Sequence, residues 1–295
     1  MNIASHVTIP ASGVHARAAD AWTAFWADPD QSRCAAGAPG ILQALAGHWA
    51  SFAKSLAPRT HVVDLGCGAS AVGRLLVGAD SELQVTGVDS AIIPPASHPQ
   101  LAVLSQTAME SLPFADRRFG AAVSQFGYEY SQMDAAAREI ARVIAPGAKL
   151  SFLVHHADSA IVAATRSRLE LIDRLLGATL RTAFCSGDAT GFSVQLSALI
   201  SSHPLDALIA QLAQALPLRL TNPPMKRIAI WTAIEEALAP ERCVAASLIT
   251  CCVAPWLMAE WLGPLRSVCE LTPISVLREP NGDPVAWKVE GARAL

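Results

Sequence analysis

Residues His61 to Ser70, HVVDLGCGAS, decide how the rest of the chain is read. Val62, Val63 and Leu65 are strand formers. The run ends on Asp64, Gly66 and Gly68, with Cys67 between the glycines. Glycine adopts left-handed backbone freely and has no side chain to hold a ligand away. A G-x-G turn at the end of a strand therefore lets backbone amides approach a ligand closely. Ser70 stands where a third glycine might be expected. It opens the next helix, where a serine can cap free amides, so the exchange is expected to be tolerated.

Outward from this turn the chain alternates. SAVGRLLVG reads as a helix, LQVTGVDS as a second strand ending in Asp89 and Ser90, QLAVLSQ as a third and RRFGAAVSQF as a fourth. SQMDAAAREIARVIAPG is a helix with Met133, Ala137, Ile140 and Ile144 on one face, stopped by Pro146-Gly147. AKLSFLVHH is a fifth strand. Strands apolar on both faces, alternating with helices, imply a parallel sheet covered on both sides. After His156 the alternation stops. Helical stripes run through Ile161, Thr165, Leu169, Ile172 and Leu176, through Leu205, Leu208, Ile209, Leu212 and Leu216, and through Ile228, Trp231 and Leu238. VCELTPISVLRE and PVAWKVEGA then flank PNGD, a hairpin signal. Four regions follow: an N-terminal helical lid over 1–57, an α/β core over 58–156, a helical insert over 157–262, and closing strands over 263–295.

The bulk numbers bound the class. The chain has 295 residues, 52% hydrophobic and 16% charged, which excludes disorder. A net charge of −3 with no Lys/Arg cluster argues against a nucleic-acid partner. Seven cysteines with no CxxC pair argue against zinc or a disulfide framework and for a reducing, cytoplasmic setting. No metal site is expected. MNIASHVTIPASG lacks the pattern of a secretory signal. Cys243 to Ala259 carries no charge but is short for a span and contains Pro255, so it reads as a buried helix rather than a membrane segment.

Asp64 before the glycine turn, Asp89 at the end of the second strand, MESLPFADRRFGAAVSQF and ARVIAPGAKLSFLV occur in one order. An acid placed like Asp89 can hold both hydroxyls of a ribose, so the set points to a nucleoside-containing cofactor. As a whole it resembles the class I S-adenosylmethionine-dependent methyltransferases, in particular the small-molecule, type 11-like group, over roughly 60–156 and the closing strands. The resemblance implies a doubly wound, Rossmann-like, mostly parallel seven-stranded sheet with an antiparallel hairpin. It implies that Asp64, Gly66, Cys67 and Gly68 contact the methionine part of S-adenosylmethionine and that Asp89, with Ser90 beside it, binds the ribose. Met109 and Glu110 would line the adenine, and Gln125 and Phe126 would lie beside the reactive methyl. RVIAPGAKL matches a structural turn, in which Ala148 replaces a glycine. Ala108 stands where the family often has an Asp, which leaves adenine recognition to backbone groups.

Methyl transfer asks the protein to position the acceptor and exclude water, and to supply a base only where the acceptor must lose a proton. QFGYEYS leaves the fourth strand at the expected site: Glu129 is a candidate base, and Tyr128 or Tyr130 a candidate to orient the acceptor. Glu129 as a solvated acid at a helix start is the plainer alternative. His155 and His156 leave the fifth strand at the same edge as candidate bases, or as hydrogen-bonded structural residues. His155 and Glu129 lead the catalytic candidates, and Phe126, Tyr128 and His156 the acceptor-binding ones. Asn222-Pro223-Pro224-Met225 is set aside as a helix start, with Asn222 capping and Pro223 in the first turn. Cys251 and Cys252 read as core, and Trp22, Phe25 and Trp26 as core or lid. The insert, with the N-terminal helices, is expected to roof a pocket for a small acceptor with apolar or aromatic surface. Two rivals remain: an NAD(P)-dependent oxidoreductase on a similar sheet, and a non-catalytic S-adenosylmethionine-binding protein with a helical partner module.

Overall fold

The structure, a computed structural model, describes residues 11–27, 38–95, 98–204 and 206–294, and the side chains from 19 onward within these. Leu205 and, within the expected N-terminal lid, residues 1–10 and 28–37, Cys34 among them, lie outside them.

Two helices come first, α1 (Ala11–Ala27) and α2 (Pro39–Lys54). Pro39 sits in the first turn of α2, where its missing N–H costs nothing, and Ile41, Leu45, Trp49 and Phe52 form its buried stripe. The core follows as β1 (His61–Leu65), α3 (Ala71–Ala79), β2 (Gln84–Val88), β3 (Leu101–Leu104), β4 (Phe119–Gln125), α4 (Met133–Val143) and β5 (Ile144–His155). The parallel strands lie in the order β3-β2-β1-β4-β5. Strand order reverses between β1 and β4, which opens a crevice at their carboxyl ends. One face of the sheet buries Val63, Leu65, Leu150 and Phe152 with Ile140 of α4. The other buries Val62, Val85, Val123 and Leu153 with Trp49 of α2 and Leu76 of α3.

The LPFADRR segment is held by one arginine. The Arg142 guanidinium donates to the Leu112 and Phe114 carbonyls at 2.9 and 2.7 Å and pairs with Asp116 and Glu139. The sheet continues antiparallel from β5 into β8 (Pro284–Arg293), whose far edge carries β6 (Cys269–Leu271) and β7 (Ser275–Arg278). The expected sixth strand is thus in two pieces, giving eight strands rather than seven. It breaks at Thr272–Ile274, where Pro273 has no N–H for the ladder. The β7–β8 hairpin turns at Gly282, φ +96°.

The helix α4 ends earlier than its apolar pattern predicts. Ile144 is the first residue of β5, paired with Phe119 across an irregularity in register, so Pro146-Gly147 lies within the strand.

A second compact unit spans 164–246, narrower than the 157–262 expected for the insert. It is built from α5 (Ala160–Leu175, entering from the first unit), α6 (Ala178–Ser186), α7 (Ala189–Ser202), α8 (Ala207–Ala215) and most of α9 (Pro224–Cys251) around Leu171, Phe184, Phe192 and Trp231. Ile228 is exposed rather than buried. Pro224, not Pro223, is the first residue of α9, and the Asn222 amide donates to the Arg219 carbonyl rather than capping the helix. Short helices α10 (Met258–Trp261) and α11 (Gly263–Arg266) lead into β6. Among the described residues no helix is long and apolar enough to cross a membrane.

Candidate active site

The turn after β1 is shaped by three left-handed residues: Gly66 (φ +66°), Gly68 (φ +46°) and Ser70 (φ +61°). The amides of Gly66 and Cys67 donate to the Val88 carbonyl at 2.9 and 3.0 Å, which ties the turn to the end of β2. Ser70 makes no side-chain cap, contrary to the expectation from sequence. Its conformation is the one a glycine would adopt without strain, and it costs a non-glycine residue ~1–2 kcal/mol. A Cβ on Gly66 would sit 3.0 Å from the Gly127 Cα, so the turn presses on the backbone that follows β4. Gly127, not singled out in the sequence, has its own constraint: a Cβ there would lie 2.7 Å from the Leu65 carbonyl oxygen.

Asp64 is buried, and neither carboxylate oxygen has a hydrogen-bond partner. Burial, reinforced by the nearby Asp89 and only partly offset by the Gly73 amide, pushes its pKa up to about 7. Asp89 is also buried and raised by burial, but its carboxylate accepts from the amides of Gly68 and Ala91, both at 2.9 Å. The acid expected to meet a ribose therefore also holds the glycine turn in place. Cys67 is buried in the turn, with its thiol pushed up by burial, and Ser90 is exposed. Glu110 accepts from the Gln132 amide at 2.7 Å, fastening the β3–β4 connection to the segment after β4, and Met109 packs against the core beside it. The Gln125 side-chain oxygen accepts from the Trp49 indole at 2.7 Å, a partner the sequence did not suggest.

The ends of β4 and β5 meet in a buried acid–histidine pair. Glu129 Oε1 accepts from the His155 amide at 2.9 Å and lies 2.8 Å from His155 Nδ1. Both side chains are almost wholly buried. The far atoms of the pair, Glu129 Oε2 and His155 Nε2, have no partner. Phe126, in left-handed backbone (φ +57°), stacks on the His155 ring at 4.1 Å, and Tyr130 meets that ring edge-on at 6.1 Å. Strained backbone of this kind persists where the surroundings over-determine it, commonly at sites of function.

The other candidates lie elsewhere. His156 faces away and stacks on Trp287 at 4.3 Å, its Nδ1 accepting from the Asp158 amide, so it does not join the pair. Tyr128 has no exposed surface. Its hydroxyl donates to the Met133 carbonyl at 3.1 Å, and its ring packs against Trp261, which places it in the core.

Helix α1 lies over this edge. Trp26 covers Gly68 so closely that a Cβ there would collide with the indole. Thr23 accepts from the Ile92 amide at 3.0 Å, and Trp22 meets Tyr130 edge-on at 5.4 Å. Trp22 and Trp26 thus face the crevice, and Phe25 packs edge-on against both.

With this geometry in view, comparison with known proteins is informative. Residues 63–152 match the family model described as a methyltransferase domain. No curated protein matches the chain. Among solved structures, the chain is similar to Burkholderia thailandensis 1,6-didemethyltoxoflavin-N1-methyltransferase (9% identity, 99% of this chain and 93% of that one, TM-score 0.50). The Bradyrhizobium japonicum N-methyltransferase NodS also matches (11% identity, 94% and 98%, TM-score 0.49), as does a Haloferax volcanii putative methyltransferase complexed with its activator Trm112 (12% identity, 93% and 98%, TM-score 0.48). The sheet order, the glycine turn and the matched segment define a class I methyltransferase domain. The cofactor of that class is S-adenosylmethionine.

The residues present suit that cofactor. Gly66 and Gly68 bring no side chain to a turn already packed against Gly127 and Trp26, and the unpartnered carboxylate of Asp64 offers a buried acceptor to a cation. Buried polar groups are nearly always hydrogen-bonded, so an orphaned acid at a ligand crevice calls for a partner.

Proposed function

We propose that the chain transfers a methyl group from S-adenosylmethionine to a small-molecule acceptor with apolar or aromatic surface. The observation that carries this reading is the unsatisfied Asp64 carboxylate beside a glycine turn. Asp64 takes the ammonium of the cofactor's methionine part, next to Gly66, Cys67 and Gly68. Asp89 and Ser90 take the ribose, Met109 and Glu110 border the adenine, and Gln125 lies near the transferable methyl. The sulfonium supplies an already activated methyl group, so the chain's task is to align the acceptor and keep water out.

Helix α1 serves as the lid. With Trp26 on Gly68 it closes the mouth of the turn, and it lifts to admit the cofactor. His155, braced by Glu129, is the group placed to accept a proton. The helical insert departs from the sheet after His156 and returns at Val253, whose amide donates to the His155 carbonyl at 2.9 Å. The cysteine pattern of the sequence, seven with no CxxC pair, supports a reducing, cytoplasmic setting.

Titration calorimetry of the purified protein against S-adenosylmethionine and against NADH tests the reading. Saturable binding of the first and none of the second is expected, and the opposite result would make the protein an oxidoreductase. Cofactor binding with no turnover across a broad acceptor screen would favour the non-catalytic rival.

A further inference from the structure

We infer that the acceptor is an aromatic hydroxyl compound, whose proton passes to His155 Nε2 while Glu129 holds the ring from behind. The inference rests on the methyl-transfer reading above and deepens it. Glu129 Oε1 already accepts the His155 amide and meets Nδ1 as an acceptor, which fixes the proton on Nδ1. In the neutral ring the lone pair is then on Nε2, which is buried and without a protein partner. With Phe126 stacked on the imidazole, the Nε2 edge is left to meet a ligand.

The chemistry of acceptors narrows what that edge is for. A neutral amine attacks with its free lone pair and sheds its proton afterwards. A thiol ionises near neutral pH in water, and a carboxylate arrives with no proton to lose. A hydroxyl group is a poor nucleophile while it keeps its proton, so it gains most from a base aligned during attack. The nearby Cys251 is not a competing base or nucleophile, because burial and the facing Glu129 push its thiol up to about 12. The surroundings are rings: Phe126 on the imidazole, Tyr130 at its edge, and Trp22 beyond Tyr130. A flat aromatic body packs against such walls.

In the step itself the acceptor oxygen bonds to the methyl carbon as the carbon–sulfur bond breaks. That bond's electron pair stays on sulfur, which becomes a neutral thioether. The hydroxyl proton moves to His155 Nε2. The imidazolium so formed is stabilised by Glu129 through Nδ1–H and returns its proton to solvent after product leaves.

One ring with four heteroatoms tests this. Wild-type protein with S-adenosylmethionine is offered 2-naphthol, 2-naphthylamine, 2-naphthalenethiol and 2-naphthoate. Methylation of 2-naphthol is expected to exceed that of each other compound by tenfold or more. His155→Gln should lower naphthol turnover at least a hundredfold and Glu129→Gln at least tenfold, with cofactor affinity within twofold of wild type in both. A second readout needs no turnover. In protein loaded with S-adenosylhomocysteine, bound 4-nitrophenol should develop its phenolate absorbance at lower pH in wild type than in either variant. A purely structural role for the pair would leave that absorbance unchanged. The inference is overturned if the amine, thiol or carboxylate is methylated as fast as naphthol, if none of the four is methylated by cofactor-bound protein, or if the nitrophenolate signal ignores His155→Gln. Should the variants misfold, the acceptor series on wild type decides alone. Failure of S-adenosylmethionine to bind would sink the cofactor reading and this inference together, whereas binding without naphthol transfer would sink only the inference.

Discussion

Asp64 closes the first half of the crevice and Glu129 the second, and the two buried carboxylates are held in opposite ways. Asp64, one residue before the end of β1, has no hydrogen bond to either oxygen, and burial leaves its proton bound up to about pH 7. Glu129 has one oxygen committed to both the amide and the ring of His155. An unpartnered acid is suited to receive charge from a ligand. A partnered one is suited to hold another side chain in register. The β1–β2 end is therefore read as the place where a cationic cofactor is gripped, and the β4–β5 end as the place where a proton is handled. Variants at the first end should change cofactor affinity, and variants at His155 should change turnover alone.

The sharpest test is Gly68→Val. Gly68 is left-handed and pressed by Trp26, so a branched side chain there strains the turn and fills the approach of the cofactor. Cofactor binding should become unmeasurable by calorimetry while the far-ultraviolet circular dichroism spectrum stays folded. Retained affinity would put the cofactor somewhere other than this turn.

Asp89→Ala should weaken S-adenosylmethionine binding by about 1.5–3 kcal/mol, the scale of hydrogen bonds to a charged group. Because Asp89 also accepts from Gly68 and Ala91, the cofactor-free melting temperature should fall as well. A drop in stability with unchanged affinity would make Asp89 a brace for the turn and not a ribose ligand.

The third expectation is a pH dependence. The folded protein keeps a proton on Asp64 up to about pH 7, whereas an unperturbed aspartate loses it near 3.8. This group's contribution to cofactor-free stability is therefore greatest below that lower value and declines as pH rises towards 7. A bound ammonium favours the ionised form, so cofactor affinity should climb over the same window by up to about tenfold per pH unit and then level off. Calorimetry in buffers of different ionisation enthalpy should register proton release on binding below pH 7. Asp64→Asn should abolish that release, and release that survives the substitution would move the coupling to another group.

The smallest effect is expected at Ser70, whose left-handed backbone carries strain with no compensating cap. Ser70→Gly should stabilise the protein by roughly 1 kcal/mol, seen as a rise of a few degrees in melting temperature, with cofactor affinity unchanged. Destabilisation would show that the serine side chain supports the turn after all.

The sequence by itself determined the alternating core, the turn at Gly66 and Gly68, the acid at Asp89, and the closing hairpin at Asn281-Gly282. These are local statements. Strand propensity, glycine spacing and turn chemistry act over a few residues, and they can be read without knowing what lies opposite. Its less accurate readings fell where a distant partner overrules a local preference. Ile144 continues the helical stripe of α4 but pairs with Phe119 in the sheet, and Ser70 has the chemistry of a cap but sits in left-handed backbone, whereas a capping side chain works from extended backbone. Only the tertiary structure decided that Glu129 pairs with His155 and not with its neighbour His156. Successive residues of a strand point to opposite faces, and the faces are assigned by what packs against them, here Phe126 for one histidine and Trp287 for the other. It likewise decided that Trp26 covers Gly68 and that Trp49 holds Gln125, contacts between residues far apart in the chain that no periodicity announces because each depends on how separate elements are stacked.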